Sequence, residues 1–107
     1  MDSHEFEEEY HRIAMDFAEK QSEADRLDGI RKRQFSVLVN HYTAEGNSTA
    51  ASQHLARADD AYEKVMTEHH EANREANLAR AMYDSKKISM DYWRTRQATK
   101  RAQMKML

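Results

Sequence analysis

From Ala51 to the last residue the chain repeats one spacing without a break: four residues, then three, through Leu55, Ala58, Tyr62, Val65, His69, Ala72, Ala76, Ala79, Tyr83, Lys86, Met90, Trp93, Gln97, Lys100, Met104 and Leu107. A mean interval of ~3.5 residues keeps one stripe of an α-helix turned toward a partner helix, whereas a strand would alternate every two residues. The chain contains no Pro and only two Gly, so no residue is present that would force this helix to stop. One helix over about 49–105 is therefore expected.

The first half carries a less regular version of the same stripe. Phe6, Tyr10, Ile13, Phe17, Ala24, Leu27, Leu38 and Tyr42 recur at spacings of three, four or their sums, with Lys20, Arg31 and Gln34 as polar members. This predicts an amphipathic helix over about 3–42. Between the halves lies the one cluster of turn-forming residues, around Gly46, Asn47, Ser48 and Thr49, so a turn over about 43–48 should reverse the chain. Ser48 or Thr49 would cap the second helix.

The reading is an all-α fold, a single domain over 1–107: an antiparallel two-helix hairpin of coiled-coil type. Folding the halves together sets residue i across from roughly residue 93 minus i. That register lays Phe17 over Ala76, Ile13 over Ala79, Tyr10 on Tyr83, Leu27 on Val65 and Met66, and Leu38 on Leu55, and it brings Arg31 near Asp59, Asp60 and Glu63. Large side chains mostly meet small or medium ones, as close packing requires. Charge agrees: residues 1–9 hold five acids and no Lys or Arg, and residues 84–107 hold seven bases against two acids.

Such a hairpin has little to bury. Leu, Ile, Val and Phe together number 14 of 107 residues, and there is no Cys to staple a small core. A second set of apolar residues lies off the main stripe: Ile30, Val37 and Val39 in the first helix, and Leu78, Met82, Ile88 and Tyr92 in the second. A hairpin alone would leave these in water. Assembly into a helical-bundle homo-oligomer, a dimer or tetramer, would cover them, with Leu78, Met82, Ile88, Tyr92, Met104 and Leu107 as the interface.

The chemistry-bearing residues do not form a catalytic set. Glu8 and His11 have the helix spacing used by di-iron carboxylate bundles, but the second copy that such a site needs is missing. The His69-His70-Glu71 run lacks the second histidine of a zinc-protease helix. His41 and His54 are placed to meet near the turn, giving two nitrogens where zinc takes four ligands, and His69 on the stripe reads as a polar register element. No nucleophile elbow or phosphate-binding Gly-rich loop is present. The expectation is no enzyme, no cofactor and no metal. With no apolar run of bilayer length and no basic-then-apolar start, a soluble, cytoplasmic protein without a membrane partner is expected.

The stretch 93–107 stands apart, with five bases and no acid. Trp93, Arg94, Arg96, Lys100, Arg101 and Lys105 have the residue types that track phosphates and stack on a base. The competing reading makes Trp93 a packing anchor and the tail an intersubunit helix facing the acidic residues Asp2 to Glu9. It is preferred, because Trp93, Met104 and Leu107 stay on the stripe.

The string Tyr92-Trp93-Arg94-Thr95-Arg96-Gln97-Ala98-Thr99-Lys100-Arg101-Ala102-Gln103-Met104, behind an Ala-rich helix and a Gly-Asn-Ser-Thr-Ala-Ala turn, resembles small helical-hairpin proteins encoded by tailed phages and prophages. The resemblance covers the turn and most of the second helix. It implies a setting among early replication, recombination or host-interaction genes, and no active residue. The expected function is that of a non-catalytic phage-type accessory protein binding a protein partner, as an inhibitor or modulator of a host or phage machine. The alternative is a nucleic-acid-binding factor in phage recombination or replication that uses the basic C-terminal helix.

Overall fold

A computed structural model describes residues 3–106, and among them there is helix and no strand. Helix α1 runs Ser3–Ala44, α2 Thr49–Ala58 and α3 Asp60–Met106. The chain forms two compact units, one made of Met1–Ala18 with Asn77–Leu107 and one of Glu19–Ala76.

Within Glu19–Ala76 the turn is where the residue types placed it. Gly46 takes φ +100°, a conformation open to glycine and strained for other residues, and ends α1. Its amide donates to the Thr43 carbonyl at 3.0 Å, and the Asn47 amide donates to Tyr42 at 3.3 Å, the paired bonds of a Schellman stop. The Asn47 side chain adds a second bond to the same Tyr42 carbonyl at 2.9 Å. Ser48 then caps α2, its hydroxyl accepting from the Ala51 amide at 3.2 Å.

The expected single second helix is broken at Asp59, which takes extended backbone between α2 and α3. Its carboxylate is held from two sides, one local and one tertiary. One Asp59 carboxylate oxygen accepts from the Tyr42 hydroxyl at 2.7 Å, and the other accepts from the Ala61 amide at 2.9 Å, so the residue caps α3 while tied to α1. The Tyr42 bond, with the Ala61 amide second, holds the Asp59 carboxyl below the usual range, and the same bond raises the Tyr42 phenol. Arg31 is held not by Asp59, Asp60 or Glu63 but by Asp28, at 2.7 Å, and it donates to the Tyr62 hydroxyl at 3.5 Å.

The break also moves the stripe of α2 by one residue. Ser52 and Ala56 are fully buried, while Leu55, at 37%, and Ala58 are exposed. Small side chains at 52 and 56 let the helix approach closely, and Thr43 donates to the Ser52 hydroxyl at 3.0 Å. Leu38 is buried as well, and elsewhere in this unit Ala24, Leu27, Ala72 and Ala76 form a cluster with Ile30 packed against it. Leu27 thus sits with Ala72 rather than being centred on Val65 and Met66, and Ile30 and Val39 are half-buried rather than left in water. Val37 remains exposed.

In the unit built from Met1–Ala18 and Asn77–Leu107 the expected stripe is followed closely. Ile13, Ala79 and Met90 are buried, and Phe6, Tyr10, Phe17, Tyr83, Lys86, Trp93 and Gln97 are half-buried. Tyr10 and Tyr83 meet with ring centroids 5.8 Å apart and their hydroxyls bonded at 3.3 Å; this bond raises the Tyr10 phenol. Phe17 stacks obliquely on Tyr83 at 5.5 Å.

Candidate interaction surface

Lys86 is a charged residue on a packing stripe, and its long side chain resolves the conflict by lying along apolar surface with its head in reach of a carboxylate. The ammonium is 3.1 Å from Glu9 and 5.0 Å above the Phe6 ring. Phe6 in turn stacks on Trp93, centroids 5.9 Å apart and planes 16° from parallel. Trp93 is therefore a packing anchor within its own chain, with one face of the indole already occupied.

Beside this stack lies a groove of about 550 Å³ lined by Phe6, Ile88, Ser89, Tyr92, Trp93 and Arg96. It opens onto a face of α3 that carries large apolar side chains in the open: Leu78 is 56% exposed, Met82 59%, Ile88 71% and Tyr92 65%. Ala81, Ser85, Ser89 and Thr95 complete the face, and all are exposed. A solvated helix face ordinarily carries charge, and this one has none from Leu78 to Thr95. Met104 is also exposed, and Leu107 lies outside the described residues.

Arg94, Arg96, Lys100, Arg101 and Lys105 are all exposed and form no ion pair with a described residue. The stripe itself fades here: Gln97 is half-buried, but Lys100 and Met104 are exposed. The sequence singles out Trp93 and the apolar set of α3 but not the part of Phe6, whose only signal is its place on the first-half stripe.

The histidines are dispersed. His4 lies 2.9 Å from Glu8, His41 reaches Glu45 at 3.2 Å and edges the Tyr42 ring, and His54 is exposed. His11 lines a shallow groove with His4, Glu7, Glu8 and Arg12. Among the described residues no three His, Cys, Asp or Glu side chains come together in a way that would hold a metal ion. His69 is half-buried, its Nε2 3.7 Å from Asp28 and its Nδ1 buried without a partner.

Asp28 is the hub of the charged residues in Glu19–Ala76. Bonds from Arg31, then Lys32, lower its carboxyl to about 2. A carboxyl depressed below its unfolded value of roughly 3.9 stabilises the fold above that pH and stops doing so as the pH falls through 2. Thermal unfolding followed by circular dichroism should therefore lose midpoint temperature between about pH 4 and pH 2, with a shallower loss in Asp28→Asn. Parallel curves for the two chains would show that the hub contributes nothing.

No protein-family model matches the chain, and no curated protein or solved structure matches it. Among the described residues no helix is long and apolar enough to cross a membrane.

Proposed function

We propose that the chain is an antiparallel helical hairpin that assembles into a homo-oligomer and works, without catalysis, as an accessory protein of the tailed-phage type in the host cytoplasm. Its action is to bind a protein of a host or phage machine and modulate it. The observation that carries this reading is the uncharged, exposed face of α3 through Leu78, Met82, Ile88 and Tyr92. Large apolar side chains in a row on a helix whose other stripe is already packed mark an interaction surface. Descending pairs support the hairpin: Phe6 with Trp93 and Glu9 with Lys86 in one unit, and Lys20 with Glu75, Asp28 with His69 and Tyr42 with Asp59 in the other. Light scattering on the purified chain tests the assembly: a mass at a multiple of 12.6 kDa is expected, and 12.6 kDa itself refutes it.

A second reading, nucleic-acid binding through Arg94, Arg96, Lys100, Arg101 and Lys105, is favoured by the exposure of all five bases without an ion pair to a described residue. Trp93 separates the two. As an anchor stacked on Phe6, its replacement by Ala should lower the unfolding free energy by ~2 kcal/mol, less than the range for fully buried aromatics because Trp93 is only half-buried. Single-stranded DNA should show no salt-dependent affinity for either chain. Affinity that falls steeply with salt and weakens in Trp93→Ala would reverse the preference.

A further inference from the structure

The uncharged face of α3 has an internal symmetry. Counted from Ser85, the residues at offsets of three, four and seven match in size on the two sides, Met82 with Ile88, Ala81 with Ser89 and Leu78 with Tyr92, and the match ends at offset ten, where Thr95 corresponds to Glu75. These offsets define one continuous stripe of a helix, and all seven residues are exposed. A stripe that reads alike in both directions is self-complementary when two copies meet head to tail, which is the requirement of an isologous two-fold interface.

We infer that two copies of this chain pair through α3, antiparallel, about a two-fold axis at Ser85. This rests on the homo-oligomer proposed above and specifies its surface and register. With the axis at Ser85, the small serines of the two copies face each other and let the helices approach. Leu78 of one copy lies beside Tyr92 of the second, at the mouth of the groove between Phe6 and Trp93. Along the two edges Met82 meets Ser89 and Ile88 meets Ala81, so each large side chain is set against a small one.

Charge selects a second copy over other occupants. The next position on the Met82 edge toward the C-terminus is Arg96, and toward the N-terminus of α3 the edge continues to Glu75. Head-to-tail pairing brings Arg96 of one copy to a cluster of the second in which Glu75, 3.8 Å from its own Lys20, and Glu71 outnumber Arg74, twice per dimer. A nucleic acid would find no base on the face itself, since none of its members from Leu78 to Thr95 is charged.

The chain has no cysteine, so introduced thiols report on the register alone. Ser85→Cys places two thiols at the axis, within the ~7 Å between Cα atoms that a disulfide tolerates. Thr95→Cys, equally exposed, places its two thiols about 30 Å apart along the helices, ten residues from the axis at ~1.5 Å each in both copies. Under mild oxidation by glutathione disulfide, Ser85→Cys should yield a covalent dimer at twice 12.6 kDa roughly ten-fold faster than Thr95→Cys. An oligomer by light scattering with equal or no cross-linking at Ser85 overturns the register and leaves the assembly standing. A chain of monomer mass by light scattering removes both.

Discussion

Leu27→Ala is expected to lower the unfolding free energy by about 3 kcal/mol, within the span measured for large-to-small changes in packed cores. Leu27 is 8% exposed, and its neighbours in the cluster are Ala24, Ala72 and Ala76. Alanine side chains have no rotamers with which to move into the vacated space, so the cavity stays and its cost is added to the lost transfer energy. Ile30 is the partly buried apolar residue packed against the cluster with reach to fill part of it. In a chain with so few large apolar residues this is a large share of the total stability. Chemical denaturation read by circular dichroism measures it. Met15→Ala, at a residue that is 51% exposed, should shift the same curve by no more than about 0.5 kcal/mol. Equal shifts for the two would mean that the small cluster around Leu27 does not hold this unit together.

The helical stripe was legible because its period is a property of the sequence alone. From Tyr62 to Gln97 every second-half stripe position is buried or half-buried, and Met66 is the one other residue of that stretch that is not exposed. The break at Asp59 was not legible. Asp59 and Asp60 are tolerated inside a helix, and no Gly or Pro marks the site. Two bonds hold Asp59 there, a local cap from the Ala61 amide and a tertiary one from the hydroxyl of Tyr42, seventeen residues earlier, and the tertiary one has no local signature. The stripe shifts to Ser52 and Ala56 next to that break, so carrying the unbroken 4-3 spacing back through Leu55 and Ala58 misplaced the core of α2.

The candidate surface divides in the same way. Leu78, Met82, Ile88 and Tyr92 could be picked out because they fall off the packing stripe while being apolar. The groove beside them required knowing that Phe6 lies on Trp93, a pairing between residues far apart in the chain that the register rule placed about six residues away. Arg31 shows the limit for charges: three acids near its expected position made a partner there plausible, yet Asp28, one helical turn away, holds it at 2.7 Å. A neighbour on the same helix needs no tertiary placement to be within reach.

Leu78→Glu combined with Met82→Glu should dissolve the assembly and leave the fold of the single chain in place. Both side chains are more than half exposed in the isolated chain, so the carboxylates are solvated there and disturb little. In a dimer paired through α3 the same substitutions put four carboxylates into an interface whose own members are uncharged, with Arg96 of the opposite copy only at its rim. Charges buried without partners cost several kcal/mol by order of magnitude, more than a small helical interface can offset. Helix content by circular dichroism should be unchanged between the two chains. The deciding measurement is the light-scattering mass of the natural chain and of this double variant at the same micromolar concentration. The account predicts a multiple of 12.6 kDa for the first and 12.6 kDa for the second; a natural chain at 12.6 kDa, or a double variant that keeps the natural chain's mass, would contradict it.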